Sequence, residues 1–399
     1  MKRLVKSLLR KKRKNESWFK YFMAIGHLWL GLLSSVVVFA VCLTGSIYAF
    51  KNPVIELYNR HKVYVDAPKQ AVPLPLDTLQ AIFERRGSSI TALVLPAAKN
   101  KSISISYLNH ESGILKTSYF NPYTAEELGH SSRSMDGFFQ VVLNIHRTLL
   151  ITKIGKQVVG ISILIFVFML LSGLVLWLPA RWKWKNIKAG LTINWRAKFY
   201  RINYDLHNTL GFYSLLLLLF IALTGLYVTY PWMKSGILVA LGGKPISGEA
   251  VKEEISNNFE LLLQEMMEKE EEKKTMKDLR PISLDSLMGL VDQKLHYHAT
   301  TIIQLPDDKE PRFSIQKINT TNWLGAMLPD QISFDKKGEL KAVELFRDKP
   351  LHKQFVAISL PLHTGEFLGL PGIILYALVS LVGCSLPITG FIIWWKKVR

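Results

Sequence analysis

The sequence predicts an α-helical membrane protein, with four transmembrane helices in two tandem repeats and α+β extracytoplasmic domains between them. Three observations predict this class. The apolar residues of the 399-residue chain gather into four runs, 21–50, 154–179, 207–232 and 371–395. A bilayer core of ~30 Å takes ~20 apolar residues of helix, and each run supplies them. The basic residues cluster on one side of those runs. The first and third runs share a register of histidine and glycine, and so do the second and fourth.

The charge is placed as topology demands. Residues 1–20 carry nine Lys/Arg against Glu16, the loop 180–206 carries seven against Asp205, and Lys396, Lys397 and Arg399 close the tail. These nineteen bases and two acids make +17 of the formal net charge of +19. All three segments then face the cytoplasm, and the segments 51–153 and 233–370 lie outside it. The charge is therefore no signal of nucleic-acid binding. The run behind MKRLVKSLLRKKRK is too long for a signal-peptide core, and no small-x-small site precedes Lys51, so 21–50 reads as an uncleaved helix. Cys42 and Cys384 both fall inside apolar runs, which leaves no disulfide for the outer domains and reads as small core residues.

Between the spans the pattern changes from apolar runs to alternation. In 51–153, LDTLQAIFERRG has helical spacing and ends on Gly87, and ITALVLPA, SISISYL and TSYFNPYTAEEL read as strands. In 233–370 the order returns: LDSLMGLVDQKL as a helix, TTIIQLP and RFSIQKI as strands, and QISFDKKGELKAVEL as a strand pair around Lys-Lys-Gly. Residues 249–280 are dense in Glu and Lys with Leu and Met at helical spacing, and read as a solvated amphipathic helix.

The register of the repeat isolates four histidines. GHLWLGLL…LTGSIYAF and LHNTLGFY…LTGLY align on His27 and His207 at an offset of 180, bringing Gly31 onto Gly211, Thr44 onto Thr224 and Gly45 onto Gly225. His146 and His363 each lie 27 residues before a glycine, Gly173 and Gly390. With both odd-numbered spans running outward, His27 and His207 fall near the cytoplasmic face, and His146 and His363 near the outer one. Paired imidazoles at each face point to heme held by two histidines, a site that favours electron transfer over oxygen chemistry. Gly31 and Gly211, one turn beyond their histidines, leave room for a flat macrocycle. Gly45 and Gly225 are 18 residues on, five turns and ~27 Å, on the histidine's own face and level with the opposite pair. Gly173 and Gly390 reach the cytoplasmic end in the same way. Arg147, beside His146, pairs with a heme propionate or a lipid headgroup. The competing readings are small-residue helix contacts for the glycines and a proton path or core hydrogen bonds for the histidines. His296 and His298 share a strand face but have no third ligand nearby. No dinucleotide fingerprint, P-loop or Cys-x-x-Cys occurs, so electrons come from a quinol or a cytoplasmic reductase.

HLWLGLL with LTGSIYAF, NIHRTLL with LSGLVLWLP, DLHNTLGFY with LTGLY, and LPLHTGEFLGLPG with ITGFIIWW resemble the PepSY-associated transmembrane family, which includes iron-regulated membrane proteins and ferrisiderophore reductases. FNPYTAEELG resembles a PepSY strand–turn signature, from which FDKKGELK in the second outer segment departs. The resemblance implies PepSY-like outer domains, two b hemes on His27, His146, His207 and His363, and reduction of a ferric siderophore or other ferric chelate outside the bacterial inner membrane. It thereby implies a heme-dependent oxidoreductase in iron acquisition, embedded in lipid. A non-redox PepSY-type regulatory or binding protein, and a siderophore or heme transporter, are the alternatives.

Overall fold

The computed structural model describes residue 12 and residues 16–67, 72–110, 113–130, 133–179, 182–245, 281–307 and 310–398. The charged stretch 249–280 lies outside them. Helix α1 (Trp18–Ala49) begins where the Ser17 hydroxyl accepts the Lys20 N–H at 3.2 Å. Short helices α2 (Lys51–Tyr58) and α3 (Arg60–Val63) lead to α4 (Leu76–Arg85) and strands β1 (Ser88–Leu95), β2 (Ile103–Asn109), β3 (Ile114–Phe120) and β4 (Glu127–His130). Then come α5 (Arg133–Thr148), α6 (Thr152–Trp177), α7 (Trp184–Leu191), α8 (Phe199–Thr229) and α9 (Pro231–Ala240). The second outer segment supplies α10 (Leu284–Lys294), β5 (Thr301–Gln304), β6 (Phe313–Asn319), β7 (Leu328–Phe334) and β8 (Leu340–Glu344). The chain ends on α11 (Leu351–Thr364) and α12 (Gly369–Val398).

The chain divides into two compact units. The helical unit holds Met1–Lys51, Met135–Lys234 and Ser359–Arg399. Its long helices α1, α6, α8 and α12 match the four predicted spans, and all are long and apolar enough to cross a membrane. Helices α1, α6 and α8 meet in a layer of Val38, Phe166, Leu170, Leu215, Leu218 and Ala222, against which Val379 and Leu386 of α12 pack. Leu33, Val36 and Leu216 point outward, more than 70% exposed, as a hydrocarbon solvent permits.

The boundaries drawn at 153 and 370 shift. Most of α5, and the end of α11 that carries His363, belong to the helical unit instead. The α5–α6 turn is tight: Leu149 (φ 51°) and Leu150 (φ 62°) are both left-handed, a conformation that costs a branched residue ~1 kcal/mol or more. The turn after α11 uses Gly365 (φ 82°) and Gly369 (φ 64°), to which the left-handed region is open.

The second unit, Asn52–Ser134 with Ser235–Ile358, carries one antiparallel sheet of eight strands in the order β4-β3-β2-β1-β5-β6-β7-β8. The sequence reads two separate α+β domains; the structure joins them. β1 and β5, each the free edge of its own half, pair with each other, with Leu93 opposite Ile303. An unpaired apolar edge invites aggregation, and this pairing removes two. Leu79, Phe83, Leu93, Ile105 and Phe120 of the first half share one core with Leu287, Val291, Ile303, Ile315 and Phe334 of the second. The helices are tied in the same reciprocal way. The Asp285 carboxylate accepts the N–H groups of Leu76 (2.9 Å) and Asp77 (3.0 Å) at the start of α4, and Asp77 accepts that of Leu284 (2.8 Å) at the start of α10. Each half caps the other's helix.

Candidate functional site

All four predicted histidines lie in the helical unit, and they meet in two pairs. His27 on α1 faces His207 on α8, ring centroids 6.3 Å apart and planes at 88°. His146 on α5 faces His363 on α11, also at 6.3 Å, with planes at 49°. Each pair takes one imidazole from each repeat.

Every ring is braced from within its own repeat. His27 Nδ1 lies 2.9 Å from Ser172 Oγ on α6, and His207 Nδ1 lies 2.8 Å from Thr389 Oγ1 on α12. His146 Nδ1 lies 2.9 Å from the Val41 carbonyl and 3.4 Å from Thr44 Oγ1, both on α1. His363 Nδ1 lies 3.1 Å from both the Ile221 carbonyl and Thr224 Oγ1 on α8. The Ser172 and Thr389 hydroxyls in turn donate to the carbonyls of Met169 (3.2 Å) and Ser385 (2.9 Å) on their own helices, so toward His27 and His207 they accept. A carbonyl only accepts, so Nδ1 is the protonated nitrogen of His146 and His363, and the committed hydroxyls give His27 and His207 the same tautomer, which leaves the Nε2 lone pair free.

The glycine that follows each hydroxyl residue admits the ring edge. A Cβ on Gly173 or Gly390 would stand 3.3 Å from Cε1 of His27 or His207. On Gly45 it would stand 3.1 Å from His146 Cε1, and on Gly225 3.0 Å from His363 Cε1. These four glycines thus face the opposite pair, as their spacing predicts, and the group that they admit is the imidazole. Gly31 and Gly211 face the side chains of Met169 (2.7 Å) and Leu386 (3.6 Å). The rise from His27 to Gly45 separates the pairs by ~27 Å along α1.

Sequence reasoning missed Ser172 and Thr389. Their signal is a dipeptide common to all four spans, Thr44-Gly45, Ser172-Gly173, Thr224-Gly225 and Thr389-Gly390. It missed a second asymmetry as well. The Trp177 indole donates to the Gly190 carbonyl at 3.1 Å, whereas its repeat partner Trp394, one turn past Gly390, has a buried Nε1 without an acceptor among the described residues. Arg147, next to His146 in the chain, is exposed. His298 is occupied elsewhere, its Nε2 2.7 Å from the Ala97 carbonyl. Among the described residues no cluster of three or more His, Cys, Asp or Glu would hold a bare metal ion.

Heme iron needs two nitrogens at a set separation. With a metal–imidazole bond of ~2.0 Å and a ring centroid ~1.15 Å behind the nitrogen, two rings sharing one metal have centroids ~6.3 Å apart. Both pairs stand at that distance, with Nε2 unprotonated and free, so the residues fit the group.

Four apolar spans, a shared α+β unit and imidazoles paired across an internal repeat define a multi-pass membrane protein with histidine pairs built into its helices. The profile of the PepSY-associated TM region matches residues 25–397, and the chain belongs to that family. No curated protein sequence matches the chain.

Proposed function

We propose that the protein is a di-heme b electron-transfer protein of the bacterial inner membrane. It takes electrons from a quinol or a cytoplasmic reductase and delivers them to an extracytoplasmic ferric chelate of the siderophore type, for iron acquisition. The observation that carries the proposal is the equal 6.3 Å spacing of two imidazole pairs, each built across the repeat.

His27 with His207, and His146 with His363, would each hold one heme through Nε2. When bound, heme would supply one-electron transfer. The chain's own part is placement. Bracing within each repeat holds the paired rings opposite one another at 6.3 Å, and the apolar layer around Leu170 and Leu218 keeps water from the space between the pairs. The Trp394 indole N–H and the Arg147 guanidinium would be available as donors to the carboxylates of a bound heme. The basic segments at 180–206 and the tail support a cytoplasmic position for the His27–His207 pair, next to a donor. The His146–His363 pair then faces the side where a ferric chelate arrives. Reduction to Fe(II) loosens hard oxygen ligation and frees the metal.

The test is a dithionite-reduced minus oxidised spectrum of detergent-purified protein, with heme quantified as the pyridine hemochrome. Two b hemes per chain are expected. Colourless protein from heme-replete cells would refute the reading.

A further inference from the structure

The four Ser/Thr-Gly dipeptides carry an inference that rests on the heme reading and goes beyond it. We propose that Thr44, Ser172, Thr224 and Thr389 are positioning residues whose hydroxyls fix the protonation of the four histidines and, through it, the electron-donating strength of each ligand. Each hydroxyl gives its proton to a carbonyl of its own helix. Thr44 Oγ1 donates to the Ala40 carbonyl at 2.6 Å, Thr224 Oγ1 to Phe220 at 2.9 Å, Thr389 Oγ1 to Ser385 at 2.9 Å, and Ser172 Oγ to Met169 at 3.2 Å. With its proton committed to its own helix, each oxygen meets the histidine as an acceptor.

Nδ1–H of His146 and of His363 therefore lies between two acceptors on one turn of a neighbouring helix, a hydroxyl at position i (Thr44, Thr224) and a carbonyl at i−3 (Val41, Ile221). Nδ1–H of His27 and of His207 meets the Ser172 and Thr389 hydroxyls at 2.9 and 2.8 Å. The other tautomer would set an unprotonated Nδ1 against those oxygens, in hydrocarbon where no water relieves it. It would also put a proton on Nε2, the atom needed for iron. An Nδ1–H drawn toward oxygen raises the basicity of Nε2, as in other metal-ligating histidines. A more basic axial nitrogen favours the ferric state, so the hydroxyls lower the reduction potential. The adjacent glycine belongs to the same device, because only without a Cβ does the ring edge come close enough for Nδ1 to reach the preceding residue.

The test compares variants that keep the hydroxyl with variants that lose it. Thr389→Val is isosteric and lacks the acceptor; Thr389→Ser keeps it. Ser172→Ala and Ser172→Thr form a second pair on the facing ligand. The readouts are heme content and the midpoint potential of each heme, with the low-temperature electron paramagnetic resonance signal of the oxidised protein. Thr389→Val and Ser172→Ala are expected to raise the potential of the His27–His207 heme and shift its signal, or to lose that heme, and to leave the His146–His363 heme alone. Thr389→Ser and Ser172→Thr are expected to match the wild type. If either hydroxyl-free variant behaves like its hydroxyl-keeping counterpart, the proposal is overturned. That outcome in pigmented protein leaves the heme reading intact, whereas absence of pigment from the wild type removes the heme reading itself.

Discussion

Gly225→Ala offers the sharpest test of the paired-histidine geometry, because its control lies on the same helix. The new Cβ would stand 3.0 Å from Cε1 of His363. Carbon atoms pack best at ~3.5–4.0 Å, so the ring must retreat by ~0.5–1.0 Å. His363 Nδ1 is 3.1 Å from its two acceptors, and a retreat of that size carries it past ~3.6 Å, where a hydrogen bond no longer holds. The ring cannot tilt freely to compensate, since overpacking a filled helix interface costs ~1–3 kcal/mol. Gly211→Ala, four turns earlier on α8, meets only Leu386 at 3.6 Å, an ordinary contact. There alanine recovers the ~1 kcal/mol that glycine costs inside a helix. Hemochrome quantitation of the two purified variants should give about one heme for Gly225→Ala and about two for Gly211→Ala. The survivor in Gly225→Ala should keep the potential of the His27–His207 heme. Two unperturbed hemes in Gly225→Ala, or equal loss in both variants, would refute the packing argument.

The remaining predictions concern the outer unit and the end of α12. Asp285→Ala frees two N–H groups of α4 and Asp77→Ala one of α10, so the losses of stability should be ~1–2 and ~1 kcal/mol, read by chemical denaturation of the full chain. Burial would raise the Asp335 carboxyl, but the Glu339 N–H, the Lys341 ammonium and the Lys337 N–H outweigh it and hold it below its usual range. Its folded-state pKa is depressed, so its contribution is present above the unfolded range of ~4 and is lost as pH falls through the folded value. The melting temperature of the outer unit should therefore drop on acidification below about pH 4, and less steeply in Asp335→Asn. Trp394→Phe removes a donor that has no acceptor among the described residues. Stability of the heme-free protein should be unchanged, and the His27–His207 heme should dissociate faster; equal dissociation rates would exclude the indole as a heme contact.

Much of the helical unit is legible because a membrane helix has one period and one solvent. Spacings of 18 and 27 residues convert directly to depth and face, so His27, His207, Gly45 and Gly225 can be placed without coordinates. Ser172 and Thr389 escape that logic. They are invisible while the first span is compared only with the third and the second only with the fourth, and they emerge once Thr-Gly and Ser-Gly are compared across all four. The joined sheet is harder. Alternation marks β1 and β5 as strands, but pairing Leu93 with Ile303 across more than two hundred residues leaves no local pattern. The same is true of the exchanged caps: Asp77 and Asp285 each look like a first-turn acid of their own helix.

The Leu93–Ile303 pairing lies where the two-fold of a symmetric dimer would pass, and an isologous dimer of a half-length chain would pair its edges that way. In such an ancestor every imidazole pair would face its own copy, and the two sides of each porphyrin would be identical by necessity. Joining the copies into one polypeptide lifts that constraint. Serine at 172 can differ from threonine at 389, methionine at 169 from leucine at 386, and an indole tied to the backbone at 177 from one left open at 394. Fusion thus lets evolution tune one face of a cofactor while the other stays as it was, a freedom that no homodimer has.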